Sequence, residues 1–311
     1  MNNKIIRGEI LLIITAIIWG TSFVAQRVGM ELIGPFTFTA TRFLVGTLSL
    51  IPIILITDKV NKKEEENKTE NKTEAETGIR KELLIGGIAC GLALFSGISF
   101  QQAGLQYTTA GKAGFITALY IVLVPLLGLF LKKKVDKNVW IGLILAVMAL
   151  YLLCFTEDFS ISKGDLIVLC GTVFWAIHIL VIDHFAPKVN GLKMSCIQFF
   201  TAGILSLIIA FFTETIEMSA ILNSAGPILY TGIVVVGVAY TFQIIGQRGT
   251  NPTVAAIILS MESVFAVVSG MVLLGESMSL KEILGCILML AAVLITQIQP
   301  TKSNVEIEEK A

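Results

Sequence analysis

The chain has 311 residues, 55% hydrophobic and 15% charged, with 23 basic and 23 acidic side chains and a mean hydropathy of +0.82. So apolar a composition excludes a water-soluble domain, in which about a quarter of the residues carry charge. Zero net charge argues against a nucleic-acid partner, whose phosphates call for clustered excess Lys and Arg. A polytopic membrane protein remains, with the lipid bilayer as its partner.

A crossing needs about 20 mostly apolar residues. On that criterion the first half holds spans at 8–29, 34–57, 82–105, 110–131 and 138–156. The second holds 164–184, 191–213, 225–246, 252–274 and 280–299. Lys4 and Arg7 before the first run imitate a signal peptide, but the run is about 20 residues long and lacks a small-residue cleavage site, so it stays on as span one. Pro35, Pro227 and Pro252 lie at span starts, where a missing N–H costs nothing. Pro125 is interior and is expected to bend span four.

Residues 58–78 are dense in Lys, Glu, Asn and Thr and are expected to form a disordered cytoplasmic connector. Asn67 and Asn71 each open an N-x-T triplet, which a cytoplasmic placement leaves unglycosylated. All five cysteines (Cys90, Cys154, Cys170, Cys196, Cys286) fall in apolar runs without C-x-x-C spacing and read as small apolar fillers.

The stretch Gly164–Asp183 restarts the pattern of Gly8–Arg27. A slide of 156 positions lays Gly8 on Gly164, Glu9 on Asp165, Trp19 on Trp175 and Phe43 on Phe199. Five crossings separate the two starts, and an odd number makes the second half enter from the opposite face. The expected fold is an all-α membrane protein of ten transmembrane helices in two inverted five-helix repeats, 1–157 and 158–300, followed by a cytoplasmic tail, 301–311. With the N-terminus inside, 18 basic residues lie on the cytoplasmic side and five (Arg27, Arg42, Lys112, Lys163, Lys281) outside. This bias sets both termini in the cytoplasm.

Enzyme signatures are poor, and no enzymatic activity is expected. Gly111-Lys112 imitates the end of a phosphate-binding loop, but Gln106 replaces the first Gly and Ala113 the Ser or Thr. There is no G-x-S-x-G or H-E-x-x-H, and His178 and His184 are too few for a metal cluster, so neither metal nor cofactor is expected.

Polar residues inside the spans are more informative. Glu262 sits near the middle of span nine, where an acid costs about 2.5 to 3.5 kcal/mol on insertion scales. It is a candidate proton carrier or substrate-amine partner, or else a protonated side chain bonded to a neighbouring helix. His178 in span six is a second proton-coupling candidate, its unperturbed pKa of about 6.5 being close to physiological pH; an interhelical hydrogen bond is the alternative. Trp19, Ser22 and Gln26 share one face of span one, and Trp175 with His178 repeats it in span six. Both tryptophans lie too deep for an interfacial belt. Ser99, Gln102 and Gln106 form a stripe in span three, and Tyr240, Gln243 and Gln247 in span eight. Tyr120 matches Glu262 when the halves are aligned through Gly104 and Gly246. These stripes line a cavity or act as interhelical glue worth about 0.6 kcal/mol per bond. Arg27, Arg42 and Lys112 are expected to snorkel at the outer ends and Asp183 lies near an inner end. Gly86, Gly87, Gly91 and Gly97 in span three, with Gly232 and Gly237 in span eight, allow close helix approach.

Trp19-Gly20-Thr21-Ser22-Phe23, Gly34-Pro35, Arg42-Phe43 and Leu273-Leu274-Gly275-Glu276 with Gly285 together resemble the EamA-type permeases of the drug/metabolite transporter superfamily, over residues 8–299. Ser263 follows Glu262 where that family often has proline, and Lys132-Lys133-Lys134 replaces a common Gly-Glu closure of span four. The resemblance implies export of amino acids, related metabolites or toxic compounds through a central cavity between the repeats. The expected function is a secondary transporter of the cytoplasmic membrane working by alternating access. Its substrate is a small molecule of the amino-acid or metabolite class, with proton coupling through Glu262 or His178. A lipid-modifying membrane enzyme or a receptor-like scaffold is the alternative, and the oligomeric state is open, a homodimer included.

Overall fold

The computed structural model describes residues 3–65, 73–108, 110–133, 135–154, 162–274 and 279–296, and among them it is helical throughout, without strands. The elements are α1 (Asn3–Gly29), α2 (Pro35–Glu65), α3 (Thr73–Leu105), α4 (Ala110–Ala118), α5 (Tyr120–Phe130), α6 (Lys137–Cys154), α7 (Lys163–Phe185) and α8 (Gly191–Thr213). They continue as α9 (Met218–Asn223), α10 (Ala225–Leu229), a π-helical stretch π1 (Tyr230–Tyr240), α11 (Thr241–Gln247), α12 (Pro252–Leu259), α13 (Glu262–Leu274) and α14 (Leu280–Thr296).

The distribution of side chains is that of a protein dissolved in lipid. Leu48, Leu84, Leu129, Ile144, Leu166 and Phe211 face outward, while Thr15, Gln26, Arg42, Gln102, His178, Gln198 and Glu262 are buried. Hydrocarbon cannot bond a free amide, so each run closes its backbone bonds internally as a helix and turns its polar side chains toward other helices. Among the described residues six helical stretches are long and apolar enough to cross a membrane: Ile5–Ser22, Pro35–Val60, Arg80–Leu105, Lys163–Phe185, Gly191–Thr213 and Ala225–Gln247. Ile116–Phe130, Lys137–Leu152, Pro252–Ala266 and Ile283–Thr296 are shorter apolar helices at the remaining expected spans.

Two of those four shorter spans are interrupted. Leu119 separates α4 from α5, and Ser260–Met261 separates α12 from α13. At both points the backbone tightens to three-residue bonds, Leu119 N to Ile116 O at 3.2 Å and Met261 N to Ile258 O at 3.1 Å. Pro125 lies inside α5, so the interruption in span four precedes the proline expected to cause it. In the other, Ser260 Oγ donates to Ile257 O at 2.7 Å, and no proline is involved.

Helix starts are fixed by local chemistry. Ser162 and Asp165 form a reciprocal capping box at α7, and Asn190 and Asn251 cap α8 and α12. α2 is capped from a distance: the Glu214 carboxylate accepts from Phe36 N and Thr37 N, both at 2.8 Å, and from Thr37 Oγ1 at 2.6 Å.

α2 packs on α8 and α6 on α14, while α3 packs on α7 and α8, and α1 on π1, α11, α12 and α13. Two crossings are made backbone to backbone. A Cβ on Gly8 would lie 2.6 Å from the Gly246 carbonyl oxygen, and one on Gly164 would lie 2.7 Å from that of Gly104. Only glycine allows such an approach.

Two expectations are corrected. Residues 58–65 continue α2 and 73–78 belong to α3, so most of the supposed unstructured connector is helical; Lys, Glu and Ala are good helix formers, and each stretch extends a long helix that is already nucleated. Arg42 does not snorkel: it is 2% exposed. The side chains of Arg27, Lys112 and Cys154, residues 66–72, the Gly275-Glu276 pair and the tail 301–311 lie outside the described residues.

Candidate functional site

α1, α2, α3, α4, α5, α7, π1 and α13 meet around a cavity of about 420 Å³, counting its open mouth. Its wall is Trp19, Ser22, Gln26, Arg42, Ile98, Gln101, Thr117, Tyr120, Trp175, Val235, Tyr240 and Glu262.

Aromatic rings form one side. Tyr240, the last residue of π1, has its ring centroid 4.7 Å from Trp19, 6.1 Å from Phe199, 6.2 Å from Phe43 and 6.4 Å from both Trp175 and His178. Two offset-related pairs, Trp19 with Trp175 and Phe43 with Phe199, thus gather on a single tyrosine. The residue matched to Tyr240 through Gly104 and Gly246 is Ile98, also on the wall.

The polar side is wired on one flank and free on the other. Gln102 Nε2 donates to Gln26 Oε1 at 2.8 Å, Gln26 Nε2 to Ser22 Oγ at 3.0 Å, and Ser22 Oγ to the Trp19 carbonyl at 2.7 Å. This relay holds Ser22 and Gln26 in place. By contrast Trp19 Nε1, Trp175 Nε1, Tyr120 OH, Thr117 Oγ1 and Arg42 Nε are buried without hydrogen-bond partners. Each such group costs about 1–3 kcal/mol, and five around one cavity are donors and acceptors available to a solute.

The two charges stand out. The Arg42 guanidinium carbon lies 5.3 Å from the ring centroids of Phe38 and Phe43, so its near neighbours are aromatic faces. Glu262, 6% exposed, opens the first turn of α13, at the positive end of that helix's dipole. The Glu262 backbone is packed on Gly20, next to Trp19. Neither charge forms an ion pair among the described residues.

Of the residues singled out in the sequence, Trp19, Ser22, Gln26, Tyr120, Trp175, Tyr240 and Glu262 come together on the wall. Gln102 stands behind it, bonded to Gln26. His178 also lies behind, with Nε2 3.0 Å from Gln198 Oε1 and Nδ1 unpartnered. Ser99 and Gln243 are not on the wall, because α3 presents Ile98 and Gln101, one position around from the expected stripe, and the α-helical spacing does not run across the junction of π1 and α11. Gln247, buried, donates to the Ile179 carbonyl at 3.1 Å. Sequence reasoning missed Arg42, Gln101 and Thr117.

Residues 6–155 and 162–298 each match the EamA-like transporter family. A protein of Archaeoglobus fulgidus named an uncharacterized transporter is 31% identical over 95% of this chain and 87% of its own length. A Clostridium kluyveri protein of the same description is 24% identical over 96% and 95%, and the Bacillus subtilis uncharacterized transporter YoaV is 21% identical over 91% and 94%. A crystal structure aligns with a TM-score of 0.73 at 16% identity, covering 93% of this chain and 96% of the other, which supports the fold.

Proposed function

The chain belongs to the EamA-like transporter family, and from that premise we propose a secondary transporter of the cytoplasmic membrane that exports amino acids or related small metabolites and drugs by alternating access. The observation that carries this reading is the cavity: an aromatic wall and unpartnered polar groups, enclosed between segments drawn from both family matches.

Ten crossings in two inverted repeats fit several features. The family matches twice. The Gly8–Gly246 crossing has its counterpart in Gly164–Gly104, with the partners exchanged between halves. The interruptions at Leu119 and at Ser260–Met261 fall at matching places, and broken helices at the repeat interface are where such transporters bind.

Both termini in the cytoplasm follows from the placement of Lys and Arg. At the basic end three ion pairs join the two halves: Lys133 with Asp183, Lys193 with Asp58 at 2.8 Å and Lys188 with Glu82 at 3.9 Å. Apart from Tyr240 the wall residues lie from mid-span toward the other end, and with these pairs that supports a conformation closed to the cytoplasm.

Glu262 is the proton-coupling group in this reading, because it is on the wall, whereas His178 is behind it and held by Gln198. Tyr120 and Tyr240 are within electrostatic reach of its carboxylate, and Arg42 shares the cavity.

The test is a metabolite screen of cells overproducing or lacking the protein, followed by flux in proteoliposomes. At least one compound should change in tolerance or secretion, and its flux should follow an imposed pH gradient until Glu262→Gln removes that dependence. Flux indifferent to both the gradient and the substitution rules out coupling through Glu262, and no altered compound at all removes the transporter reading.

A further inference from the structure

We infer that the cavity recognises a zwitterion by its two charges, Arg42 taking the carboxylate and Glu262 the ammonium, with the apolar side chain against Trp19, Trp175 and Tyr240. This deepens the transporter reading and rests on it, assigning to Arg42 a role in specificity.

A charge buried without a partner in a low-dielectric interior is destabilising by several kcal/mol. This cavity holds an arginine and a glutamate on the same wall, and each becomes such a charge whenever it is ionised. Had they served only the fold, they would be expected to neutralise each other across the cavity, yet no ion pair joins them. Tyr240 is within electrostatic reach of both.

The duplicated sequence sharpens the point. The 156-residue offset puts neutral Gln198 at the position of Arg42, and the alignment through Gly104 and Gly246 puts neutral Tyr120 at that of Glu262. Each half therefore carries one ionisable wall residue where the other half has a neutral one. The result is a polarised cavity that fits a molecule with both a free carboxylate and a free amine. A simple amine leaves Arg42 unsatisfied, and an N-acylated acid leaves Glu262 unsatisfied, each at the cost of an uncompensated buried charge.

The donor geometry agrees. Arg42 offers a planar fork suited to a carboxylate, and Phe38 and Phe43 hold the guanidinium without competing for its hydrogen bonds. Glu262 has both oxygens free of intramolecular hydrogen bonds among the described residues, as an ammonium ligand requires.

The experiment uses the full-length protein in detergent and three probes with one side chain: L-leucine, its decarboxylated amine isoamylamine, and N-acetyl-L-leucine. Binding is read from tryptophan fluorescence, two of the three tryptophans being on the wall. Wild type should bind L-leucine at least about tenfold more tightly than either analogue. Arg42→Gln should lose that preference over isoamylamine while keeping isoamylamine affinity, and Glu262→Gln should lose it over N-acetyl-L-leucine while keeping affinity for that acid. Crossed losses of this kind cannot come from a general loosening of the fold. Equal weakening of all three probes by either variant overturns the assignment in favour of a structural role, as does L-leucine binding unchanged by Arg42→Gln. Wild-type protein that binds none of the three overturns it too, and the metabolite screen then decides separately whether the transporter reading stands.

Discussion

The two halves differ most where they match best. The positions laid over each other by the 156-residue offset carry Ser22 and Arg42 in the first half and His178 and Gln198 in the second. In the second half these two bond to each other, His178 Nε2 to Gln198 Oε1 at 3.0 Å, behind the aromatic wall. In the first half Ser22 is instead tied along its own helix to Gln26 and thence to Gln102, and Arg42 is left on the wall with its Nε unpartnered. A shared scaffold thus decides where polar groups are carried, and the residue at each position decides whether the group is consumed by the fold or offered to a solute.

The sharpest way to break this comparison is at the glycine crossings. Gly8→Val and Gly104→Val each drive a side chain into backbone that cannot rotate away, and overpacking of this kind costs about 1–3 kcal/mol or more. Both should abolish monodisperse protein in detergent, measured by size-exclusion profile after equal expression. If only one does, the crossings are not equivalent, and the matched scaffold assumed above is wrong.

Next come the two buried bonds. Gln198→Leu strands His178 and should lower thermal stability by about 1–3 kcal/mol, with little change in ligand affinity because neither residue is on the wall. Gln102→Leu strands Gln26, which is on the wall, and should reduce both stability and transport. Gln243→Leu, away from the wall and with Oε1 already unpartnered, should do less to transport than Gln102→Leu. Equal transport defects in all three would mean that the polar stripes are packing elements and not parts of a site.

Much of this was legible in the residues, and the misses share a cause. Helical class, lipid exposure and the gathering of Trp19, Trp175 and Tyr240 follow from composition and offset, since apolar length and helical periodicity act through the backbone alone. The face that α3 turns inward depended on its crossing with α7, where Gly104 meets Gly164, and periodicity cannot report the rotation of one helix against another. Arg42 was read from distance to the span end, a rule for side chains that can reach water; its aromatic neighbours Phe38 and Phe43 close that route. The remote cap of α2 by Glu214 joins residues 177 and 178 positions apart and has no local signature.

The ion pairs at the basic end offer a gentler probe. Partly exposed pairs contribute about 0–1 kcal/mol each, so Asp58→Asn with Asp183→Asn should shift the balance between conformations a few-fold without unfolding the protein. Cys90, fully buried among Ile182, Ala186, Val189 and Met194, reports on that end. With the other cysteines replaced by serine, maleimide labelling of Cys90 should quicken in the double variant. An unchanged rate would show that these pairs do not hold the halves together.

The smallest expected effects are at two hydroxyls that bridge helices. Thr15 Oγ1 lies 2.9 Å from its own-helix Leu11 carbonyl and 3.0 Å from the Ala239 carbonyl of π1. Thr172 Oγ1 lies 2.9 Å from the Ile116 carbonyl of α4 and 3.2 Å from its own-helix Val168 carbonyl. A hydroxyl has one proton, so each divides it between two acceptors, and the nearer one takes the larger share. For Thr172 that is the neighbouring helix, whereas for Thr15 the two are nearly balanced. Cross-helix bonds in membranes average about 0.6 kcal/mol, so Thr172→Val should lower the melting temperature slightly, and Thr15→Val less. The double variant should show the sum, because the two sites share no partner; a larger loss would mean that α1 and α7 are coupled through the wall between them, making the cavity itself part of what holds the halves together.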